Sequence, residues 1–259
     1  MDIVGLIPAT GAASRLSPIP CSKEILPVGI EEWGGGSGRK PKVAIHYVLE
    51  SMRKANITKA YIIIRNNKWD IPAYLGDGKE FGLDIAYLMM GLPYGPPFSV
   101  NQAYPFISSS IIALGYPDII FQPNSVYNIL LEKMKTEKAD VVLGLFPAVN
   151  PQKMDMIEFD ANENISRIVI KPQKTDLQYT YINAVWSPRF NHFFNKKLSS
   201  ISQSTELDDK TEYYLGEIFQ EFMNAGNKIG FAKINKGTYF DIGTIEDYQG
   251  AVLNHIRSH

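Results

Sequence analysis

The chain begins with an apolar run that leads directly into very small side chains. Residues 3–7 read as a short strand, and the small residues start two positions later. Small residues let backbone N–H groups approach and surround an anion, as phosphate-binding loops do. The candidate anion-binding residues are Ala9, Thr10, Gly11, Ala12, Ala13 and Ser14. The pattern therefore predicts a strand that ends in a phosphate-binding loop.

The residues after this loop exclude two common kinds of nucleotide site. Pro18 and Pro20 prevent the loop from turning at once into a long helix. A Walker A loop needs Gly-Lys-Ser/Thr at a helix start, and a dinucleotide fingerprint needs three correctly spaced glycines. Neither pattern occurs at this loop. Arg15 and Lys23 add positive charge beside it, which favours a triphosphate as the anion.

Composition narrows the class of protein. The chain has 259 residues, a net charge of −1 and one cysteine, Cys21. That length can bury one sizeable core, and there is no basic excess that would indicate nucleic acid as a partner. One cysteine excludes an internal disulfide framework. We find no signal-peptide pattern and no apolar stretch of membrane-spanning length, so we expect a cytoplasmic protein with no membrane partner.

Strand-like and helix-like segments alternate through the first half, which indicates βαβ units and a mainly parallel sheet. We expect strands over 60–64, 83–88, 110–114 and 140–146, and helices over 43–55, 99–104 and 124–135. In the second half we expect a hairpin over 154–159 and 165–170, strands over 179–186, 229–234 and 238–241, and helices over 213–225 and 245–256. Residues 34–38 are predicted to be a flexible connection, and residues 199–210 a polar surface excursion.

The loop and the residues after it resemble a two-part motif. The sugar-nucleotide pyrophosphorylases, which are nucleotidyltransferases acting on sugar 1-phosphates, carry Gly-x-Gly-Thr/Ser-Arg-Leu-x-Pro followed by Lys-x-Leu-Leu-Pro. The matching residues here are Gly11, Ser14, Arg15, Leu16, Lys23, Leu26 and Pro27. Ala13 stands where the second glycine is usual. The resemblance implies that Arg15 and Lys23 are catalytic, holding the triphosphate and stabilising charge on the leaving pyrophosphate.

Two aspartates are candidate metal ligands. Asp118 follows the predicted strand 110–114, at the edge where open α/β sheets bind ligands. Asp241 begins a block that resembles the family pattern Asp-x-Gly-Thr-x-Glu-Asp-Tyr. Pro117 replaces the glycine that usually precedes the first aspartate. Because Mg²⁺ is commonly bound by one or two carboxylates plus phosphate oxygens, these two residues are enough for a magnesium site.

Three further residues are candidates for substrate binding. Lys171 matches the lysine of a family Glu-Lys-Pro motif and is implied to bind the sugar phosphate, although Ile170 stands at the glutamate position. Asn183 is a candidate for hydrogen bonds with sugar hydroxyls. Gly95 would let the backbone approach the edge of a base.

The resemblance spans nearly the whole chain, so we expect a single nucleotidyltransferase domain over 1–259. It implies a Rossmann-like three-layer α/β sandwich, with a mainly parallel mixed central sheet and a small accessory β-hairpin region. The implied reaction joins a nucleoside triphosphate, dTTP or UTP by family frequency, to a sugar 1-phosphate, with glucose 1-phosphate favoured.

Three questions stay open at this point. The departures at Ala13, Pro117 and Ile170 leave room for a non-catalytic regulatory subunit that binds nucleotide sugars on the same fold. Transfer to another phosphate acceptor is a second alternative. Family members often assemble, so a homo-oligomer is also open.

Overall fold

The computed structural model describes residues 1–33, 38–203 and 212–257. The strands are β1 (Ile3–Ala9), β2 (Pro27–Trp33), β3 (Gly38–Val43), β4 (Lys59–Ile64), β5 (Asp84–Met89), β6 (Ile111–Leu114), β7 (Ile119–Gln122), β8 (Val141–Pro147), β9 (Met156–Phe159), β10 (Ile165–Val169), β11 (Tyr179–Trp186), β12 (Gly230–Lys233) and β13 (Thr238–Asp241). The helices are α1 (Ala44–Lys54), α2 (Asp70–Leu75), α3 (Pro96–Asn101), α4 (Tyr104–Ile107), α5 (Val126–Glu137), α6 (Pro188–Ser202), α7 (Leu215–Asn224) and α8 (Ile245–Arg257).

The middle of the central sheet is parallel. Strands β5, β4, β1 and β6 lie side by side in that order and run in the same direction. β11 pairs antiparallel with β6, β8 and β9, and β12 and β10 extend the sheet beyond β8 and β9. Parallel strands are normally covered on both faces, and β1 is buried from Val4 to Ala9. The predicted mainly parallel, mixed sheet is confirmed.

Helices cover both faces of this sheet. On one face α3, α6 and α7 enclose an aromatic core, where the rings of Phe190, Phe194 and Phe219 lie 5.6, 6.4 and 6.3 Å from that of Trp186. Such ring pairs each contribute about 0.5–1.5 kcal/mol beyond their buried area. On the other face α1 and α5 pack on the sheet, and both contribute apolar residues to a second hydrophobic core on that side. The predicted Rossmann-like three-layer sandwich is confirmed.

The accessory hairpin is also present. β9 and β10 pair antiparallel. The Asp160 carboxylate closes their turn by accepting hydrogen bonds from the backbone N–H groups of Asn162 and Asn164, at 2.9 and 2.8 Å. None of the helices in the described ranges has the length and apolar character that a bilayer crossing requires.

The strand register brings three loops to one edge of the sheet. Ala9 pairs with Ile64 across β1 and β4, and Leu6 pairs with Leu114 across β1 and β6. The segments that follow β1, β4 and β6 therefore leave the sheet at its carboxyl edge, where open α/β sheets bind ligands.

Several elements differ from the sequence prediction. Helix α6 was not predicted, although Ser187 caps its N-terminus and Pro188 occupies its first turn. Its last residues overlap the predicted excursion 199–210, of which residues 204–210 lie outside the description. Short strands β2, β3 and β7 were also missed. Residues 34–37 of the predicted flexible connection lie outside the description, between β2 and β3.

Candidate active site

A two-stranded ribbon brings the two candidate metal-binding aspartates together. β7 pairs antiparallel with β13, with Asp241 opposite Ile119. The backbone N–H of Ile242 donates to the carbonyl oxygen of Asp118 at 2.9 Å. Asp118 and Asp241 thus lie on adjacent chain segments although they are far apart in sequence.

Lys23 lies beside this carboxylate pair. A single 3₁₀ turn, Lys23–Ile25, positions its side chain, and its ammonium group forms an ion pair with the Asp118 carboxylate. Burial lowers the pKa of Lys23, but Asp118 and, more weakly, Asp241 outweigh burial and leave that pKa raised. Lys23 is therefore a charged group at the centre of the site.

Arg15 lies near Asp241 and lowers its pKa. A Cβ atom added to Gly243 would be 3.4 Å from both Arg15 Nη2 and Asp247 Oδ2, and 3.7 Å from Asp241 Oδ1. The two predicted catalytic cations therefore both border the carboxylate pair.

Burial and the neighbouring carboxylates together make Asp241 a weaker acid. The pKa of Asp241 is raised to about 6, first by burial and then by the charges of Asp118 and Asp247, while Lys23 and Arg15 lower it. A divalent cation would relieve this repulsion. Within the described ranges no three His, Cys, Asp or Glu residues form a metal-binding group, so the protein offers a cation these two carboxylates.

The start of the phosphate loop lines a first cavity of about 490 Å³, which we call the mouth cavity. Its lining includes Thr10, Gly11, Gly95, Tyr116, Asp118 and Glu212. Gly95 has a φ of +104°, and a Cβ there would lie 2.3 Å from the carbonyl oxygen of Tyr213. Only glycine fits this position, where the backbone forms part of the cavity wall.

A second cavity of about 570 Å³ lies on the other side of the loop, and we call it the rear cavity. Its lining includes Ala12, Ala13, Cys21, Ser22, Arg65 and Lys68. Ala13 adopts a left-handed φ of +54°, the conformation that glycine would adopt without strain.

The remaining loop residues lie outside both cavities. Ala9 is the last residue of β1 and its side chain is fully buried, while Ser14 is exposed and lines neither cavity. The structure therefore places the six predicted loop residues in four different environments.

The predicted sugar-phosphate residue lies in a separate cluster. Lys171 Nζ is 4.1 Å from the centre of the Tyr214 ring, a cation–π contact. Asp155 lies close enough for the charge of Lys171 to lower its pKa, although burial dominates and leaves that pKa raised. The Tyr181 hydroxyl donates to Asp155 Oδ2 at 3.0 Å, and Oδ1 is buried with no hydrogen-bond partner among the residues that the structure describes. The acid beside Lys171 is therefore Asp155.

Tyr116 lies between the two clusters. It lines the mouth cavity, and its pKa is raised, first by burial and then by the charges of Asp155 and Asp118. The phosphate and sugar clusters are thus neighbours across one tyrosine.

Asn183 is not part of this cluster. Its side chain is 1% exposed, and its amide nitrogen donates to the Tyr127 hydroxyl at 3.2 Å. The Tyr127 hydroxyl donates to the carbonyl oxygen of Leu114. This network faces helix α5, so the geometry does not support the predicted contact between Asn183 and a sugar.

Sequence reasoning missed Asp155, Tyr116 and Arg65. It also missed a buried ion pair between Lys68 and Glu24, of which Glu24 lines the mouth cavity. Arg65 directly follows the buried strand β4, and Asp118 follows β6 a few residues after the strand ends. The rule that selected Asp118 therefore also applied to Arg65. No comparable signal marks Asp155, because only the fold brings it to Lys171.

Comparison with known proteins identifies a family for this chain. The family model for nucleotidyl transferases matches residues 4–257. The chain is 25% identical over 248 residues to a glucose-1-phosphate thymidylyltransferase of Mycolicibacterium smegmatis, covering 93% of this chain and 78% of that protein. It is 23% identical to a low-salt glycan biosynthesis nucleotidyltransferase of Haloferax volcanii, covering 94% of this chain and 63% of that protein's length.

A solved structure shares the fold of this chain. A UDP-glucose pyrophosphorylase solved with UDP-glucose superposes with a TM-score of 0.79 at 16% identity, covering all of both chains. The family match extends over almost the whole chain and includes the loop, both aspartates and Lys171. The chain belongs to the nucleotidyl transferase family.

Proposed function

We propose that the chain transfers a nucleotidyl group from a nucleoside triphosphate to a sugar 1-phosphate, giving a nucleotide sugar and pyrophosphate. The observation that carries the proposal is the Asp118–Asp241 pair with Lys23, at the mouth of a cavity bordered by the phosphate loop. The names of the relatives favour dTTP or UTP, and glucose 1-phosphate.

The reaction needs no side-chain nucleophile. An oxygen of the sugar phosphate attacks the α-phosphorus of the triphosphate and forms a new P–O bond. The bond from the α-phosphorus to the oxygen bridging to the β-phosphorus breaks, and its electron pair leaves with pyrophosphate. Because the attacking oxygen is already ionised at neutral pH, the protein's task is to position two anions and neutralise their charge.

The phosphate cluster supplies most of that charge. Lys23 is held at the reaction centre by Asp118, and a phosphate oxygen would compete with that carboxylate for its ammonium group. Arg15 lies near Asp241, where it would contact the same phosphates. Thr10 and Gly11 would contribute backbone N–H groups from the wall of the mouth cavity.

Asp118 and Asp241 would hold Mg²⁺. When bound, the ion would neutralise charge on the phosphates. The buried Asp241 carboxylate beside Asp118 fits such a site, because burial and the charge of Asp118 raise its pKa and a bound divalent cation would favour its ionised form.

Lys171 would bind the sugar phosphate. Its contact with the Tyr214 ring leaves ammonium protons available to an anion. Asp155 lies near enough for the charge of Lys171 to affect its pKa, so the sugar cluster has an acid near the lysine although Ile170 stands at the motif's glutamate position.

A pyrophosphate-release assay tests the proposal. The wild-type protein would be incubated with Mg²⁺, each of dTTP, UTP, ATP, CTP and GTP, and a series of sugar 1-phosphates. We expect release with at least one pair and loss of release without Mg²⁺. Binding without release in every combination would favour the regulatory subunit, and product analysis would identify a different acceptor.

A further inference from the structure

Arg65 occupies a position that no motif of the chain accounts for. It directly follows Ile64, the β4 residue that pairs with Ala9 at the end of β1. Arg65 and Thr10 therefore leave adjacent parallel strands at the same level. Of the described residues, Arg65 alone lines both the mouth cavity and the rear cavity.

The guanidinium group of Arg65 has no partner within the described ranges, neither a hydrogen-bond acceptor nor a carboxylate. The neighbouring cations differ in this respect. Lys23 pairs with Asp118, and Lys68 pairs with Glu24. A half-buried Arg beside a phosphate loop, with no acceptor for its N–H groups, can bind an anion there.

The other charges of the rear cavity are already engaged. Asp70 accepts hydrogen bonds from the backbone N–H and the hydroxyl of Ser22, at 2.6 and 2.7 Å. Lys68 is 6% exposed and paired with Glu24. Of the charged side chains that line the rear cavity, Arg65 is therefore the one without a partner among the described residues, and it also lines the mouth cavity.

The positions of the two cavities suggest which anion binds there. The reaction centre, marked by Lys23 and Asp118, borders the mouth cavity, where Gly95 also lies. If the nucleoside and α-phosphate occupy the mouth cavity, the remaining two phosphates continue past the loop towards the rear cavity. Arg65 lies at that passage.

We propose that Arg65 binds the β- and γ-phosphates of the triphosphate, the part that leaves as pyrophosphate. The identity of this anion rests on the proposed function. The planar guanidinium would contact two phosphate oxygens at once, which the ammonium of a lysine does not reproduce. Arg65 would thereby stabilise charge that accumulates on the leaving group.

Calorimetric titration with pyrophosphate in the presence of Mg²⁺ tests the proposal directly. We expect Arg65→Met to weaken pyrophosphate binding about tenfold to a hundredfold, and Arg65→Lys to weaken it less. Binding of the corresponding nucleoside monophosphate, dTMP or UMP, should remain within about twofold of wild type. Arg53→Met is the matched control, because Arg53 is exposed at the end of α1 and lines neither cavity, and it should bind pyrophosphate as wild type does.

Each other outcome overturns the assignment. Unchanged pyrophosphate affinity in folded Arg65→Met, an equal loss for the monophosphate, or no pyrophosphate binding by wild type would do so. If Arg65→Met does not fold, Arg65→Lys carries the same test. If wild type binds pyrophosphate through Arg65 yet releases none from any substrate pair, the proposed function fails, and Arg65 stands as a pyrophosphate-binding residue without the leaving-group role.

Discussion

The phosphate cluster and the sugar cluster are positioned in different ways. On the phosphate side, Asp118 and Asp241 lie where the β7–β13 ribbon places them, and the loop follows a strand of the central sheet. On the sugar side, Asp155 and Lys171 line neither cavity and contact aromatic rings. Strand pairing brings the residues of both clusters together, but in the sugar cluster contacts with the Tyr181 hydroxyl and the Tyr214 ring also orient the side chains.

This difference indicates where substrate preference can vary. A Cβ on Gly216, in the first turn of α7, would lie 2.8 Å from Asp155 Oδ2 and 2.7 Å from Ile170 Cδ1. Small changes in α7 or in these side chains would therefore reshape the sugar cluster. The phosphate cluster would keep its geometry, since its strands are fixed by hydrogen bonds of the sheet. Under the proposed function, substitutions around Gly216 would therefore change sugar preference before they change the reaction centre.

The largest expected effect comes from removing a carboxylate of the phosphate cluster. Asp241→Ala should lower the rate of pyrophosphate release by about a hundredfold to a thousandfold, because losing metal and phosphate positioning costs several kcal/mol. Folding should be retained, since Asp241 is repelled by Asp118 and Asp247. Initial rates and thermal unfolding check the two parts separately.

Asp84→Ala is a control for this substitution, because Asp84 is an exposed acid on β5 that pairs with Lys79 away from both cavities. It should keep wild-type turnover. Retained activity in Asp241→Ala would remove Asp241 from the proposed metal site.

The next largest effect is expected in the sugar cluster. Lys171→Met should raise the KM for the sugar 1-phosphate about tenfold to a hundredfold, because one charge-assisted contact is lost, and should leave the KM for the triphosphate nearly unchanged. Lys174→Met, an exposed lysine three residues further on, should behave as wild type. Steady-state kinetics with each substrate varied in turn gives both constants. A rise in both KM values would argue that the two clusters do not bind separate substrates.

Features that depend on local sequence patterns could be predicted, and features that depend on contacts between distant segments could not. Residues 179–186 and 238–241 were predicted as strands with the bounds that the structure has, because apolar β-branched and aromatic runs signal strands locally. The loop and Asp118 could be placed at the carboxyl edge for the same reason.

Other features depend on contacts between distant segments and leave no local signal. Asp155 meets Lys171 only through the pairing of β9 with β10 and β11, and Asn183 faces α5 where the strand β11 is bulged. Helix α6 is different, since its Ser187 cap and Pro188 were readable in the sequence.

A smaller effect concerns the acidity of the sugar cluster. Burial raises the pKa of Asp155 above its ordinary 3.8, with Glu217 adding to this and Tyr181 and Lys171 opposing it. The folded state therefore holds the proton more tightly than the unfolded state, and stability is lost as pH rises from about 3.8 through the raised pKa. Asp155→Asn cannot ionise, so it should gain stability relative to wild type across that range. Denaturant unfolding at several pH values measures the difference.

Tyr181→Phe serves as a reference for that comparison, because it removes the hydroxyl that donates to Asp155 and leaves the carboxyl buried. This variant should steepen the loss of stability with rising pH. A constant stability difference between Asp155→Asn and wild type at all pH values would show that Asp155 is not desolvated in the folded protein.

The smallest effect separates backbone strain from side-chain contacts in the phosphate loop. Ala13 has a left-handed φ of +54°, which costs alanine roughly 1–2 kcal/mol more than glycine, whereas glycine loses about 0.4–1 kcal/mol more chain entropy on folding. Ala13→Gly should therefore raise the melting temperature by about 1–3 °C. Ala12 has no positive φ, so Ala12→Gly should lower it by a similar amount. If both variants melt below wild type, the methyl group of Ala13 contributes more through packing than its backbone strain costs, and side-chain contacts would then help to set the phosphate cluster too.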